Sequence, residues 1–164
     1  MKSTLGDALI KEDNFREQQS FYVKTDALFD LIQAMLEDTS LDVRYLKDIC
    51  SVDWYGHADE EAIGRFEVIY NFYSLKYKSR FFIKVRLPGD KPEVASLTPL
   101  FNGANWLERE VWDMMGIVFT GHPELTRLLT PDDFEGYPLR RDYPLTYEQP
   151  RFSWNKDLPP EVIK

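Results

Sequence analysis

The chain has 164 residues, 43% hydrophobic and 15% aromatic, and carries a formal net charge of −8. This length fits one domain able to bury a core without disulfides or metals, and the composition excludes a disordered chain. The acidic balance disfavours attraction to phosphate backbones or anionic lipid, so no nucleic acid is expected as a partner.

The mixed-charge N-terminus has no signal-peptide apolar stretch and predicts a short helix or loose arm around Leu5 to Asp13. Phe21 to Val23 reads as a short strand. Leu28, Leu31, Ile32, Met35 and Leu36 follow helical spacing, predicting a helix over 25–37 capped by Thr25. Tyr45 to Val52 reads as a strand of imperfect alternation, and Ala58 to Gly64 as a polar loop. Phe66 to Tyr73 and Arg80 to Leu87 alternate with period two and predict a hairpin turning near Lys76. Pro92 suits a short helix over Glu93 to Leu100. Asn105, with Glu108 three residues on, resembles a capping box for a helix from Trp106 to about Met115, closed by Gly116. From Ile117 the recurring prolines forbid long regular elements, except for one helical turn at Pro131 to Phe134. The expected architecture is two-layer α+β. A small mixed β-sheet packs against helices, and an extended ribbon and tail follow. Residues 1–147 form the domain, with ribbon 117–147 as its interface segment and 148–164 as the tail.

Chemistry-bearing groups concentrate between Glu108 and Tyr143. On the second helix Leu107, Val111, Met114 and Met115 share an apolar face. Arg109 and Asp113 are placed to pair across one turn. Trp112 falls off the apolar face, either under a returning loop or as an interface anchor. Glu108 and Glu110 point to different sides, so they cannot share one reacting atom as general acid and base. A hydrolase using Glu108 or Asp113 is the remote alternative. His122 lacks a nucleophile partner and reads as a hydrogen-bonded turn residue. Arg127, Arg140 and Arg141 suit bidentate carboxylate pairing across an interface. Cys50 is the only cysteine, which excludes an intrachain disulfide and a four-thiolate iron–sulfur cluster held by this chain alone. A reducing, cytoplasmic compartment is the default. No glycine-rich phosphate loop follows a strand. No apolar run approaches the ~20 residues that span a bilayer, so membrane contact is expected only through partners.

Three blocks carry a family resemblance. The first is Glu108, Arg109, Glu110, Asp113, Gly116, Ile117 and Phe119. The second is Gly121, His122, Pro123, Leu125, Arg127, Leu128 and Leu129. The third is Pro138, Leu139, Arg140, Arg141, Asp142, Tyr143 and Pro144, with Arg141 where the family more usually has Lys. Upstream, Leu46-x-Asp48-Ile49-Cys50-x-Val52-Asp53 and Phe66-x-Val68-x-Tyr70 match in layout. Over about residues 20 to 146 the chain resembles the 30-kDa subunit family of respiratory complex I, the C-type subunit of bacterial NADH-quinone oxidoreductase.

The resemblance implies a structural subunit of the peripheral arm, on the cytoplasmic face of the cell inner membrane. It would be a separate polypeptide and not a C–D fusion. It implies no cofactor on this chain, with FMN, iron–sulfur clusters and quinone in partner subunits. The implied neighbours are the D-type subunit of the quinone site and the B-type and I-type subunits that bear clusters. Interface residues carried over are Glu108, Arg109, Glu110, Trp112, Asp113, His122, Arg127, Arg140, Arg141, Asp142 and Tyr143. The matching subunit of a ferredoxin-fed oxidoreductase or membrane-bound hydrogenase remains an alternative.

Overall fold

A computed structural model describes residues 6–58, 60 and 64–145. Its strands are β1 (Leu9–Phe15), β2 (Gln18–Val23), β3 (Tyr45–Asp53), β4 (Phe66–Ser74) and β5 (Ser79–Leu87). They form one mixed sheet in the order β1-β2-β5-β4-β3, antiparallel except for the parallel β2–β5 pair. Helices α1 (Leu28–Glu37) and α2 (Ala104–Met115) supply the second layer. A small parallel sheet pairs β6 (Glu93–Ala95) with β7 (Val118–Thr120). The expected two-layer α+β architecture is observed.

The core follows from the alternation in the central hairpin. Phe66, Val68, Tyr70 and Phe72 of β4 are fully buried, and Phe81, Ile83, Val85 and Leu87 of β5 nearly so. Their register sets Tyr70 opposite Ile83 and Phe66 opposite Leu87, so large side chains meet across the strands. Leu28, Leu31, Ile32 and Met35 of α1 join the same cluster, as do Val111, Met114 and Met115 of α2. Each such side chain contributes about 1.5–3 kcal/mol on full burial. The imperfect alternation of β3 has a structural cause: its register with β4 shifts between Leu46 and Asp48, a bulge that re-aims the strand.

Four local expectations are corrected. Only Gly6–Ala8 are helical, as a 3-10 turn; residues 9–15 form an edge strand that pairs antiparallel with β2, and Leu5 lies outside the described residues. The turn residues Arg16 and Glu17 have φ of 52° and 65°. Such a turn is usually written Asn-Gly, so the hairpin lacked its common mark. Thr25 does not cap α1. Ala27 occupies the cap without a side-chain bond, and the Thr25 hydroxyl donates to the Arg86 carbonyl at 3.3 Å, tying the helix entry to β5. Residues 93–95 are a strand, because β7 offers them a ladder that returns from beyond α2. Finally, Gly103 stands at the N-cap of α2 and Asn105 lies inside the helix.

Gly116 ends α2 as expected, left-handed at φ 73° with its N–H on the Trp112 carbonyl at 2.8 Å. The turn at Pro131 to Phe134 is present, with the Phe134 N–H on the Pro131 carbonyl at 3.0 Å. Of the expected loop 58–64, residues 59 and 61–63 lie outside the described residues, as does the expected tail 148–164.

Candidate subunit interface

Helix α2 is covered on one side by the sheet and on another by the ribbon that follows it. Ile117 and Phe119 are buried and turn the chain back along the helix. The ribbon, expected as an interface segment, packs in large part onto its own helix.

Asp113 holds that arrangement. Its side chain is fully buried. One oxygen, Oδ2, accepts the backbone N–H groups of Leu128, Leu129 and Thr130 at 3.0, 2.7 and 3.0 Å. The other, Oδ1, accepts Arg127 Nη1 at 2.8 Å and the Thr130 hydroxyl at 2.5 Å. Burial pushes this carboxyl up, but Thr130, Arg127 and the ribbon N–H groups outweigh it and hold it well below the usual carboxylate range. The expected Arg109–Asp113 pair is therefore replaced. Arg109 donates to the Thr126 and Arg127 carbonyls at 3.1 and 3.0 Å, reinforcing the same segment.

Arg127 and Arg140 also bond to their own chain, where the sequence suggested pairing across an interface. Arg127 Nη2 donates to the Phe134 carbonyl at 2.8 Å, and its guanidinium lies 5.7 Å from the Trp112 ring centre. Trp112 is thus covered by the returning ribbon. Arg140 Nε donates to the Met115 carbonyl at 2.7 Å, and its guanidinium sits 4.4 Å from Tyr137 and 5.0 Å from Phe66. Burial first, then the nearby Arg65, lower the Arg140 pKa. Gly116 makes room for this stack: a Cβ there would lie 2.5 Å from both Arg140 Nη2 and Tyr137 Cε2.

The far end of the ribbon is fastened to the sheet through Arg65 and Asp53, neither of which was among the expected interface residues. Arg65 grips Asp53 with two bonds of 2.9 Å and reaches Asp142 at 2.7 Å. The Arg141 N–H donates to Asp53 Oδ2 at 2.9 Å. Burial raises the Asp53 pKa, but Arg65 and the Arg141 and Tyr55 N–H groups bring it below its ordinary value. Tyr143 stacks on Phe134 with ring centres 6.1 Å apart. Arg65 and Asp53 are twelve residues apart in sequence; the only trace of their role was Asp53 in the matched Val-Asp pair.

The remaining candidate residues separate by environment. His122 is a turn residue: Nδ1 accepts the Glu124 N–H at 3.1 Å, which leaves Nε2 to donate to the Asn105 carbonyl at 3.2 Å. Glu110 is exposed, whereas Glu108 is fully buried. Glu108 makes no capping box. Its oxygens accept from the Leu97 N–H at 2.7 Å and meet the Ser96 hydroxyl at 2.6 Å. Glu108 and Asp113 thus sit in separate hydrogen-bond sets and do not converge on one point. Arg141, Leu129 and Leu139 present exposed side chains on the ribbon, and Trp106 presents one on α2.

Among the described residues no group of three or more His, Cys, Asp or Glu is placed to hold a metal ion. No helix among them is long and apolar enough to cross a membrane.

These features define an α+β domain whose charged motif fastens its own ribbon into a fixed surface. Residues 21–149 match the family of the respiratory-chain NADH dehydrogenase 30 Kd subunit, and the chain belongs to that family. It is 41% identical over 157 residues to the C subunit of NADH-quinone oxidoreductase from Roseiflexus sp. (strain RS-1), covering 96% of this chain and 87% of that one. A trypsin-resistant fragment of Nqo5 superposes with a TM-score of 0.63 at 31% identity, over 76% of this chain and 95% of the fragment. A chain of an archaeal membrane-bound sulfane sulfur reductase shares the fold, with a TM-score of 0.73 at 24% identity over 88% of this chain and 83% of that one.

Proposed function

We propose that this chain is a structural subunit of the peripheral arm of a proton-translocating NADH:quinone oxidoreductase, on the cytoplasmic face of the inner membrane. It carries no reaction of its own. FMN, iron–sulfur clusters and quinone belong to its partners, and its ribbon meets the D-type subunit of the quinone site and the cluster-bearing B-type and I-type subunits. The observation that carries this reading is the use made of the family motif. Asp113, Arg109, Arg127 and Arg140 all bond to their own chain and fix the ribbon. A surface fixed in advance positions neighbours, and small displacements along an electron path cost large factors in rate. The 41% identity to a relative from an NADH-quinone oxidoreductase favours an NADH-fed complex over a ferredoxin-fed oxidoreductase or a hydrogenase.

Affinity purification of the tagged chain from native membranes tests the reading. Recovery of cluster-bearing and quinone-site subunits is expected. Charge reversal at exposed Arg141 should reduce that recovery while leaving the isolated chain folded. Recovery of the tagged chain alone, or full assembly of Arg141→Glu with loss of turnover, would refute the proposed role.

A further inference from the structure

Glu108, carried over from the family as an interface residue, is fully buried within this chain. Its side chain has no exposure, and among the described residues no cation pairs with it. The loop after β6 faces it with the Leu97 N–H and the Ser96 hydroxyl. On β4 lies Tyr70, whose fully buried hydroxyl has no hydrogen-bond partner among the described residues and whose pKa is raised, by burial first and by the Glu108 charge second. An ionised carboxylate here rests on two donors inside an apolar wall, so burial raises the Glu108 pKa to about 7 despite Ser96 and Leu97.

The second observation is a chain of hydroxyls. Ser96 Oγ lies 2.6 Å from Glu108 Oε2 and 2.8 Å from Thr98 Oγ1, and it also accepts the Thr98 N–H at 3.1 Å. Ser96 is buried and Thr98 is partly exposed. The row therefore links a buried carboxylate, a buried hydroxyl and the hydroxyl of a partly exposed residue, each step within hydrogen-bonding distance.

We propose that Glu108, Ser96 and Thr98 form a proton-binding site, in which a buried carboxylate exchanges its proton with solvent through two hydroxyls. In the ionised state Thr98 donates to Ser96 and Ser96 donates to Glu108. A proton arriving at Thr98 Oγ1 displaces that hydroxyl's own proton to Ser96. Ser96 in turn passes its proton to Glu108 Oε2. One proton is gained and both hydroxyls are restored, with the two bonds reversed: Glu108 now donates to Ser96 and Ser96 to Thr98. The Leu97 N–H bond to Oε1 is present in both states, so the loop stays attached to α2 while its charge changes. The site is independent of the proposed interface.

Carboxyl carbon-13 NMR on the full-length chain, with Glu108 assigned through its own backbone, reads the site directly. A midpoint above pH 6 is expected. Ser96→Ala removes a donor to the ionised form and should raise that midpoint. Thr98→Val keeps the Ser96–Glu108 contact but cuts the outer step. It should leave the midpoint close to that of the unaltered chain and slow proton uptake after a pH jump several-fold, followed by the infrared carboxyl band. A Glu108 midpoint below pH 5 in the unaltered chain would overturn the site. Uptake as fast in Thr98→Val as in the unaltered chain would overturn the relay.

Discussion

Replacing Asp113 by Asn tests whether one side chain holds the ribbon. The amide keeps the shape of the carboxylate but must aim an NH2 at donors. It faces either the three N–H groups of Leu128, Leu129 and Thr130 or the Arg127 and Thr130 side chains. Removing one partner of a buried ion pair costs about 3–5 kcal/mol. Each buried donor left unpaired adds about 1–3 kcal/mol, until the segment frays and reaches water. Domains of this size are stable by about 5–15 kcal/mol, so the sheet should survive while the ribbon opens. Trypsin should then cleave Asp113→Asn rapidly after Arg127, and amide exchange should rise across 117–145 with little change in β4 and β5. The charge sets a pH window as well. The folded pKa is depressed below the usual carboxylate value, so Asp113's contribution is present above that value and lost only as pH falls through the folded pKa in strong acid. Ribbon protection unchanged in Asp113→Asn at pH 7 would refute this reasoning.

Gly116→Ala places a Cβ 2.5 Å from Arg140 and Tyr137 at a φ of 73°. It should destabilise by about 1–3 kcal/mol in urea unfolding, the usual cost of backbone strain. Arg140→Ala removes the bond to the Met115 carbonyl and the stack between Tyr137 and Phe66. It should cost about 2 kcal/mol, whereas Arg141→Ala should change stability by less than about 0.5 kcal/mol, as exposed sites usually do. Equal losses would place the two arginines in equivalent settings, contrary to the structure. For Glu108 the pH dependence runs the other way. Its folded pKa is raised from 4.5 to about 7. Its contribution is therefore fully present below pH 4.5 and falls by about 3 kcal/mol as pH rises to 7, at 1.36 kcal/mol per unit. The difference between the stability curves of the unaltered chain and Glu108→Gln should show that slope, and a flat difference would refute it.

The alternation of Phe66 to Tyr73 and Arg80 to Leu87, and the helical spacing of Leu28 to Leu36, were legible because each depends on neighbours within a few residues. So was Gly116, whose role needs only a left-handed φ. What was missed depends on distance along the chain. Nothing near Glu93 announces that Val118 to Thr120 will return to pair with it. Asn105 and Glu108 satisfy a local capping pattern, yet Glu108 reaches eleven residues back to Leu97. Arg109 and Asp113 have the spacing of a surface ion pair, but the ribbon supplies each with better partners. The hydrogen-bond partners of the motif residues were set by the covering segment.

That inward use of the motif bears on how a binding subunit gains its affinity. Ordering a free segment costs about 1–2 kcal/mol per residue for the backbone alone, and a ribbon ordered only on contact would lose that from its binding energy. Asp113, Arg109 and Arg140 order it during folding instead. Two kinds of residue then affect assembly by different routes. On the proposed role, exposed Arg141 would act by touching a neighbour, so reversing its charge should weaken the complex without loosening the isolated chain. Asp113 touches no neighbour, being fully buried, so its loss weakens the complex only through the ribbon it releases. Loss of assembly in both variants, with loss of ribbon protection in Asp113→Asn alone, is the pattern that a surface built before binding requires.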